Sequence, residues 1–133
     1  MPAEKRNPAS ELVAFCDIIE ERAVKAKEDF GTKESAVYTD YRELLKDKSI
    51  DAVLVLTPNC SHCEITVAAL NAGKHVLCEK PMAMNYAEAK QMLEARDKSG
   101  KVLTIGYQNR FRPDSLYLKR LADKDYFGEV YYA

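Results

Sequence analysis

Apolar positions fall in short, nearly continuous runs, separated by stretches in which they recur every three or four residues. Leu12-Val13-Ala14-Phe15-Cys16 is one such run; it ends at Asp17 and predicts a buried strand. Ala23, Ala26 and Phe30 then share one helical face, and Gly31 supplies a stop. Ala36-Val37-Tyr38-Thr39 predicts a short strand. After it, Asp40 is placed to cap a brief helix, with Glu43 three residues on and Leu44-Leu45 turned inward. Ala52 to Leu56 is the clearest strand and runs into Thr57-Pro58-Asn59. Ile65, Ala68, Ala69 and Ala72 follow at helical spacing, with Gly73 as the stop. His75-Val76-Leu77-Cys78 predicts the next strand. Asn85 with Glu88 opens a helix carrying Ala89, Met92, Leu93 and Arg96, which Gly100 closes. Val102 to Gly106 reads as a strand, 113–123 as a helix, and Gly128 to Tyr132 as the beginning of a further strand.

Strands without polar alternation, each followed by a helix, imply a parallel sheet covered on both faces. Right-handed crossovers then make the predicted fold α/β, a Rossmann-like doubly wound parallel sheet. The 133 residues suffice for one domain with a core.

Charge narrows the partners. Lys and Arg number 20 against 21 Asp and Glu, so neither a nucleic-acid footprint nor a membrane-binding basic run is present. The longest apolar run is far too short to span a bilayer, and residues 1–10 lack the apolar centre of a signal peptide. A cytoplasmic location is expected. The four cysteines, Cys16, Cys60, Cys63 and Cys78, are read as reduced, with Cys16 and Cys78 as small buried hydrophobes.

Polar residues gather where the predicted strands end: Asp17, Thr57-Pro58-Asn59, Glu79-Lys80-Pro81, and Tyr107-Gln108-Asn109-Arg110. Open parallel sheets bind ligands beyond the carboxyl ends of their strands. Two of these segments are specific in combination. Thr57-Pro58-Asn59-Cys60-Ser61-His62, an alanine-rich helix, and then Ala72-Gly73-Lys74-His75-Val76-Leu77-Cys78-Glu79-Lys80-Pro81 together resemble the Gfo/Idh/MocA family of glucose–fructose oxidoreductases and inositol dehydrogenases.

The resemblance implies a nicotinamide cofactor, NAD with NADP also possible, and a sugar or polyol substrate oxidised by hydride transfer. It implies that Asp17 meets the adenosine ribose, where a carboxylate accepts from both hydroxyls and repels a 2′-phosphate; the same residue could cap the segment at Ile18. Thr57, Pro58 and Asn59 are implied to line the cofactor path, although a strand-to-helix turn with Asn59 as its cap would read alike. His62 resembles the family histidine near the cofactor, and a packed helical histidine is the alternative. Lys80 is the implied catalytic residue: its ammonium would bind the substrate hydroxyl and stabilise the alkoxide, with partial desolvation aiding proton exchange. Glu79 is implied to bind the cofactor ribose or orient Lys80, and Pro81 to be cis. Gln108 could reach the carboxamide. Arg110 falls at the substrate edge or pairs with surface carboxylates.

Departures from the family pattern carry expectations too. No Gly-x-Gly-x-x-Gly exists, since the first glycine is Gly31, and Met1 to Val13 looks like the helix after such a loop, entered partway. Residues 1–127 are expected to form a partial NAD(P)-binding Rossmann domain and residues 128–133 to start a substrate domain. The sheet then lacks its first, central strand, which would lie between the strands at Leu12 and Ala52. Those strands are expected to pair directly, to borrow a partner's strand, or to leave the chain marginally stable. The chain alone is expected to show little turnover, and the whole protein to be a homo-oligomer. Two rivals remain: a non-catalytic dinucleotide-binding or self-assembly module, and a metal or thiol site at Cys60-Ser61-His62-Cys63, which no second paired motif completes.

Overall fold

The structure, a computed structural model, describes residues 9–131. Within them strand and helix alternate: β1 (Ala14–Cys16), α1 (Glu20–Phe30), β2 (Ala36–Tyr38), α2 (Tyr41–Lys46), β3 (Ala52–Val55), α3 (His62–Asn71), β4 (His75–Cys78), α4 (Tyr86–Ser99), β5 (Leu103–Ile105) and α5 (Pro113–Asp123). Short 3-10 turns at Asn59–Ser61 and Gln108–Phe111 precede α3 and α5. Residues 9–13 form neither helix nor strand, and the rest of the helix expected over Met1–Val13 lies outside the described residues. Residues 128–131 form no strand, and Tyr132 also lies outside.

All pairings are parallel. β1 pairs with β2 in one sheet, and β3, β4 and β5 pair in that order in another. Within each sheet the strands therefore end on the same edge. The fold is Rossmann-like α/β, and the space between β1 and β3 holds no described strand. Direct pairing of β1 with β3, one of the three outcomes expected from sequence, does not occur.

One core still runs through both sheets. Val55, Val76 and Cys78 pack with Leu70 and Met92 of α3 and α4, and Leu44, Leu45 and Ile50 extend this cluster beneath β1 and β2. On the opposite face Phe15 meets the turn that follows α1. Helices thus flank the β1–β2 pair on both sides. The opposite face of the β3–β5 sheet is open instead, because Leu54 and Leu77, which pair in register, are 52% and 38% exposed. Full coverage of that sheet, expected from its unbroken apolar strands, is not seen among the described residues.

Local signals explain the helix ends. The Asp40 carboxylate accepts from Arg42 N and caps α2, and Asn85 accepts from Glu88 N while Glu88 Oε2 accepts from Met84 N at the start of α4. A cap of this kind contributes about 1 kcal/mol. Gly100 ends α4 at a left-handed φ of 66°, as the stop signal requires. Gly31 ends α1 differently. Its φ of −86° is open to any residue, but a Cβ there would meet Lys27 O at 2.7 Å and Phe15 Cε2 at 2.8 Å. Crowding, not a left-handed turn, calls for glycine here.

Candidate cofactor and catalytic site

Because β3, β4 and β5 are parallel, Thr57-Pro58-Asn59, Glu79-Lys80 and Gln108 come to one edge, and Asp17 follows β1 of the other sheet. The Asp17 N–H donates to Tyr38 O at 3.3 Å and its Oδ1 accepts from Ile19 N at 2.9 Å. It thus binds a backbone amide ahead of α1, whose N-cap is Ile19, and its second carboxylate oxygen has no partner among the described residues.

Thr57-Pro58-Asn59 turns the chain from β3 into α3. Ser61, not Asn59, organises this turn: its hydroxyl lies 2.8 Å from both Thr57 Oγ1 and Pro58 O. Asn59 caps no helix, because the 3-10 turn begins at it and Ser61 is the N-cap of α3. His62, the first residue of α3, is buried, with Nδ1 2.8 Å from Pro81 O and Nε2 2.9 Å from Thr57 O.

The segment after β4 is the most constrained part of the edge. Glu79 N donates to Val55 O at 2.9 Å, and Glu79 Oε2 accepts from Lys80 N at 2.6 Å. The Lys80–Pro81 peptide is cis. Lys80 itself is exposed, and its ammonium has no partner among the described residues. The desolvation expected at this amine is therefore not supplied by its described neighbours. Lys80 borders an open hollow of about 390 Å³ with Tyr107, Gln108, Asn109 and Arg110. That hollow brings the lysine together with Gln108 and Arg110. Arg110 forms no ion pair among the described residues, and Asp114 is bound by Arg112 at 2.9 Å instead. A second hollow, along the solvent face of α1 at Glu20, Val24 and Glu28, contains none of the strand-end residues.

Tyr107 and Asn109, noted in the sequence as strand-end residues but given no role there, line the same hollow as Lys80. Two features were missed in the sequence. Gly106 backs onto the Glu79 carboxylate, a Cβ there standing 3.3 Å from its Cδ. His62 joins two loops through carbonyls 5 and 19 residues away, for which no side-chain motif exists.

The cysteines hold no bond to one another. Burial pushes the thiols of Cys16, Cys63 and Cys78 up, with Asp40 and Asp17 adding to the effect at Cys16 and Glu88 at Cys63. Cys63 is turned toward Glu88 O and Gln91, whereas Cys60 is exposed. A thiol raised by burial and turned into the fold, as Cys63 is, makes a poor metal ligand. No helix among the described residues is long and apolar enough to cross a membrane.

A parallel α/β sheet with its polar residues collected at the strand ends defines the class of dinucleotide-binding Rossmann proteins. The profile of the Gfo/Idh/MocA family, described as an oxidoreductase family with an NAD-binding Rossmann fold, matches residues 1–107, and the chain belongs to that family. An inositol 2-dehydrogenase from Salmonella typhimurium is 38% identical over 120 residues, which are 90% of this chain and 35% of that protein. The crystal structure of myo-inositol 2-dehydrogenase from Lactobacillus plantarum superposes with a TM-score of 0.85 at 27% identity, covering 95% of this chain and 37% of that one. The scyllo-inositol dehydrogenase of Lactobacillus casei, with bound NAD(H) and scyllo-inositol, gives 0.85 at 25% identity, covering 94% and 36%. The chain thus spans about a third of the length of the relatives it matches.

Proposed function

We propose that residues 1–127 are the cofactor-binding portion of an NAD-dependent oxidoreductase that oxidises a sugar or polyol hydroxyl, with Lys80 as the catalytic residue. The observation that carries this reading is the unpartnered ammonium of Lys80 in one hollow with Gln108 and Arg110, on the edge where β3, β4 and β5 end. The donor set fits a dinucleotide: a half-free carboxylate at Asp17, hydroxyls at Thr57 and Ser61, a carboxamide at Gln108 and a cation at Lys80.

A nicotinamide dinucleotide supplies hydride exchange with a carbinol carbon. The protein's share is orientation and charge. Asp17 accepts from ribose hydroxyls and disfavours a 2′-phosphate, which makes NAD preferred over NADP. Thr57, Pro58, Asn59 and His62 shape the turn along which the cofactor lies, and Glu79, through the Lys80 amide, fixes where the lysine leaves the backbone. Gln108 can bind a carboxamide. Lys80 donates to the substrate hydroxyl and stabilises the negative charge that grows on its oxygen. Arg110 borders the substrate side of the same hollow.

The hollow is open to water, and an open site neither strengthens these interactions nor protects the transferred hydride. Turnover by these 133 residues alone is therefore expected to be negligible, although cofactor binding is retained. In the whole protein we assign a cytoplasmic location and a homo-oligomeric state, by analogy with its family. Calorimetric titration tests the reading: NAD should bind, NADP should bind more weakly, and Asp17→Ala should narrow the difference. Equal affinity for both cofactors in the unaltered chain would remove the role given to Asp17, and no binding of either would overturn the reading.

A second reading, a self-assembly module, draws on the exposed Leu54 and Leu77 and the unpaired edges of β1 and β3. Sedimentation with and without NAD separates the two, since an assembly module ignores the cofactor.

A further inference from the structure

The two histidines of the chain are bound in opposite ways. Nδ1 of His75 accepts the N–H of Val102 at 3.1 Å, so that nitrogen carries a lone pair and no proton. His62 faces an acceptor at each ring nitrogen, Pro81 O at 2.8 Å and Thr57 O at 2.9 Å, and its residue is 1% exposed. A carbonyl oxygen can only accept, and a neutral imidazole has a single N–H. With one proton, the ring would make one bond and press its other lone pair against a carbonyl lone pair. With two protons it makes both bonds, each charge-assisted and of the length such bonds show.

We infer that His62 is a positioning residue, a doubly protonated staple that ties the backbone beside Lys80 to the turn at Thr57. The bond to Pro81 O anchors the residue next to Lys80, and the bond to Thr57 O anchors the first residue of the turn into α3. Among the described residues the two loops are otherwise joined by a hydrogen bond from Glu79 N to Val55 O, at the root of both. A second attachment, further out, fixes the angle between them and so the direction in which Lys80 leaves the sheet.

Titratable and charged groups stand on each neighbouring element. On α3 itself Cys63 and Glu64 follow the ring, and Cys60 precedes it on the 3-10 turn; Glu64 is engaged by Arg42 and Tyr41 of α2. β4 ends in Cys78, and beyond it lie Glu79 and Lys80, of which Glu79 accepts from a backbone amide. α4 contributes Glu88, bound at Met84 and Asn85, while Lys90–Glu94 and Arg96–Asp97 pair with each other at the surface. The N-terminus of α3 opposes a cation. Two short bonds to carbonyl dipoles act against that opposition.

The staple itself is independent of the proposed function; its consequence for Lys80 rests on that reading. Nitrogen-15 spectra of the ring-labelled chain, recorded from about pH 5 to about pH 9, decide the protonation state, because histidine ordinarily titrates in this range. At neutral pH His62 should show two protonated nitrogens while His75 shows one bare Nδ1. The carbonyl carbon-13 shifts of Thr57 and Pro81 should move together as His62 loses a proton. A single protonated nitrogen on His62 at neutral pH, or movement of only one of the carbonyls, overturns the staple whether or not NAD binds. With the staple established, NAD affinity should fall several-fold as the ring deprotonates in the unaltered chain and stay flat over the same range in His62→Gln. A pH-independent affinity in the unaltered chain overturns the positioning role alone. The spectra need no variant, so a misfolded His62→Gln leaves the staple decided and the unaltered chain's own pH profile decides the rest.

Discussion

The carboxylate of Glu79 occupies the space that a side chain at position 106 would need. A Cβ on Gly106 would stand 3.3 Å from Glu79 Cδ and 3.4 Å from both carboxylate oxygens. Glu79 in turn accepts from Lys80 N at 2.6 Å, so a glycine at the end of β5 secures the backbone of the lysine after β4. Gly106→Val should push the carboxylate away and cost about 1 kcal/mol in overpacking. The larger loss should fall on cofactor affinity. Urea unfolding and calorimetry on the same variant give the two figures, and a purely structural role would instead lower both in proportion.

Gly31 is a test of crowding without left-handed geometry. Gly31→Ala puts a methyl against Lys27 O, Phe15 Cε2 and Ser35 Oγ, at 2.7, 2.8 and 3.0 Å. Two of these atoms are poorly free to move: one is backbone, and Ser35 Oγ is held between Thr32 N and Leu12 O. The expected cost is about 1–3 kcal/mol, read as a lower urea midpoint with an unchanged slope. A variant as stable as the parent would show that the turn after α1 adjusts freely.

Leu54 would be a core residue if the β3–β5 sheet were covered on both faces, and its replacement by a small residue would then cost about 2–5 kcal/mol. It is 52% exposed. Leu54→Ser should therefore shift stability by no more than about 0.5 kcal/mol, as surface changes do, and should reduce binding of a hydrophobic dye. A midpoint that collapses would mean that this face is covered in solution.

The Asp47 carboxylate receives the hydroxyl and N–H of Ser49 at 2.7 and 2.8 Å and the hydroxyl of Tyr38 at 3.3 Å. These bonds, the Ser49 hydroxyl foremost, hold its carboxyl below the ordinary aspartate range, with Lys74 adding to them. They exist only in the folded chain. Their stabilisation is therefore complete above the ordinary value and is lost as pH falls through the lowered one. Asp47→Asn should unfold at lower urea than the parent near neutrality and match it in strong acid. A difference that stays constant down to about pH 2 would contradict the linkage.

Much of this architecture was legible because local chemistry and tertiary packing agree. His75–Cys78 is a strand within the limits expected from its apolar run, and Asp40, Asn85 and Gly100 do what their side chains, or the lack of one, dictate. The strands at Leu12, Ala52 and Val102 came out shorter. Leu56 leaves the ladder and stands 65% exposed, while Val102 spends its N–H on the His75 ring. What could not be read depends on partners distant in sequence. An apolar strand has the same letters whether one of its faces is covered or both, so the exposure of Leu54 and Leu77 was invisible. Lys80, Gln108 and Arg110 were legible as strand-end residues, whereas the contact of Gly106 with Glu79 and the two carbonyls at His62 exist only once β4, β5 and α3 are assembled.

The lack of a described strand between β1 and β3 also governs how the molecule comes apart. No backbone hydrogen bond crosses from β1 to β3 among the described residues; the join is made by side chains of α2 and by ties such as Lys74 Nζ to Asp47 O at 2.6 Å. Two cooperative blocks should follow, one holding α1 with its two strands and one holding the three-stranded remainder. Amide exchange should then fall into two tiers, with the interior of the larger block, around Leu70 and Met92, the last to open.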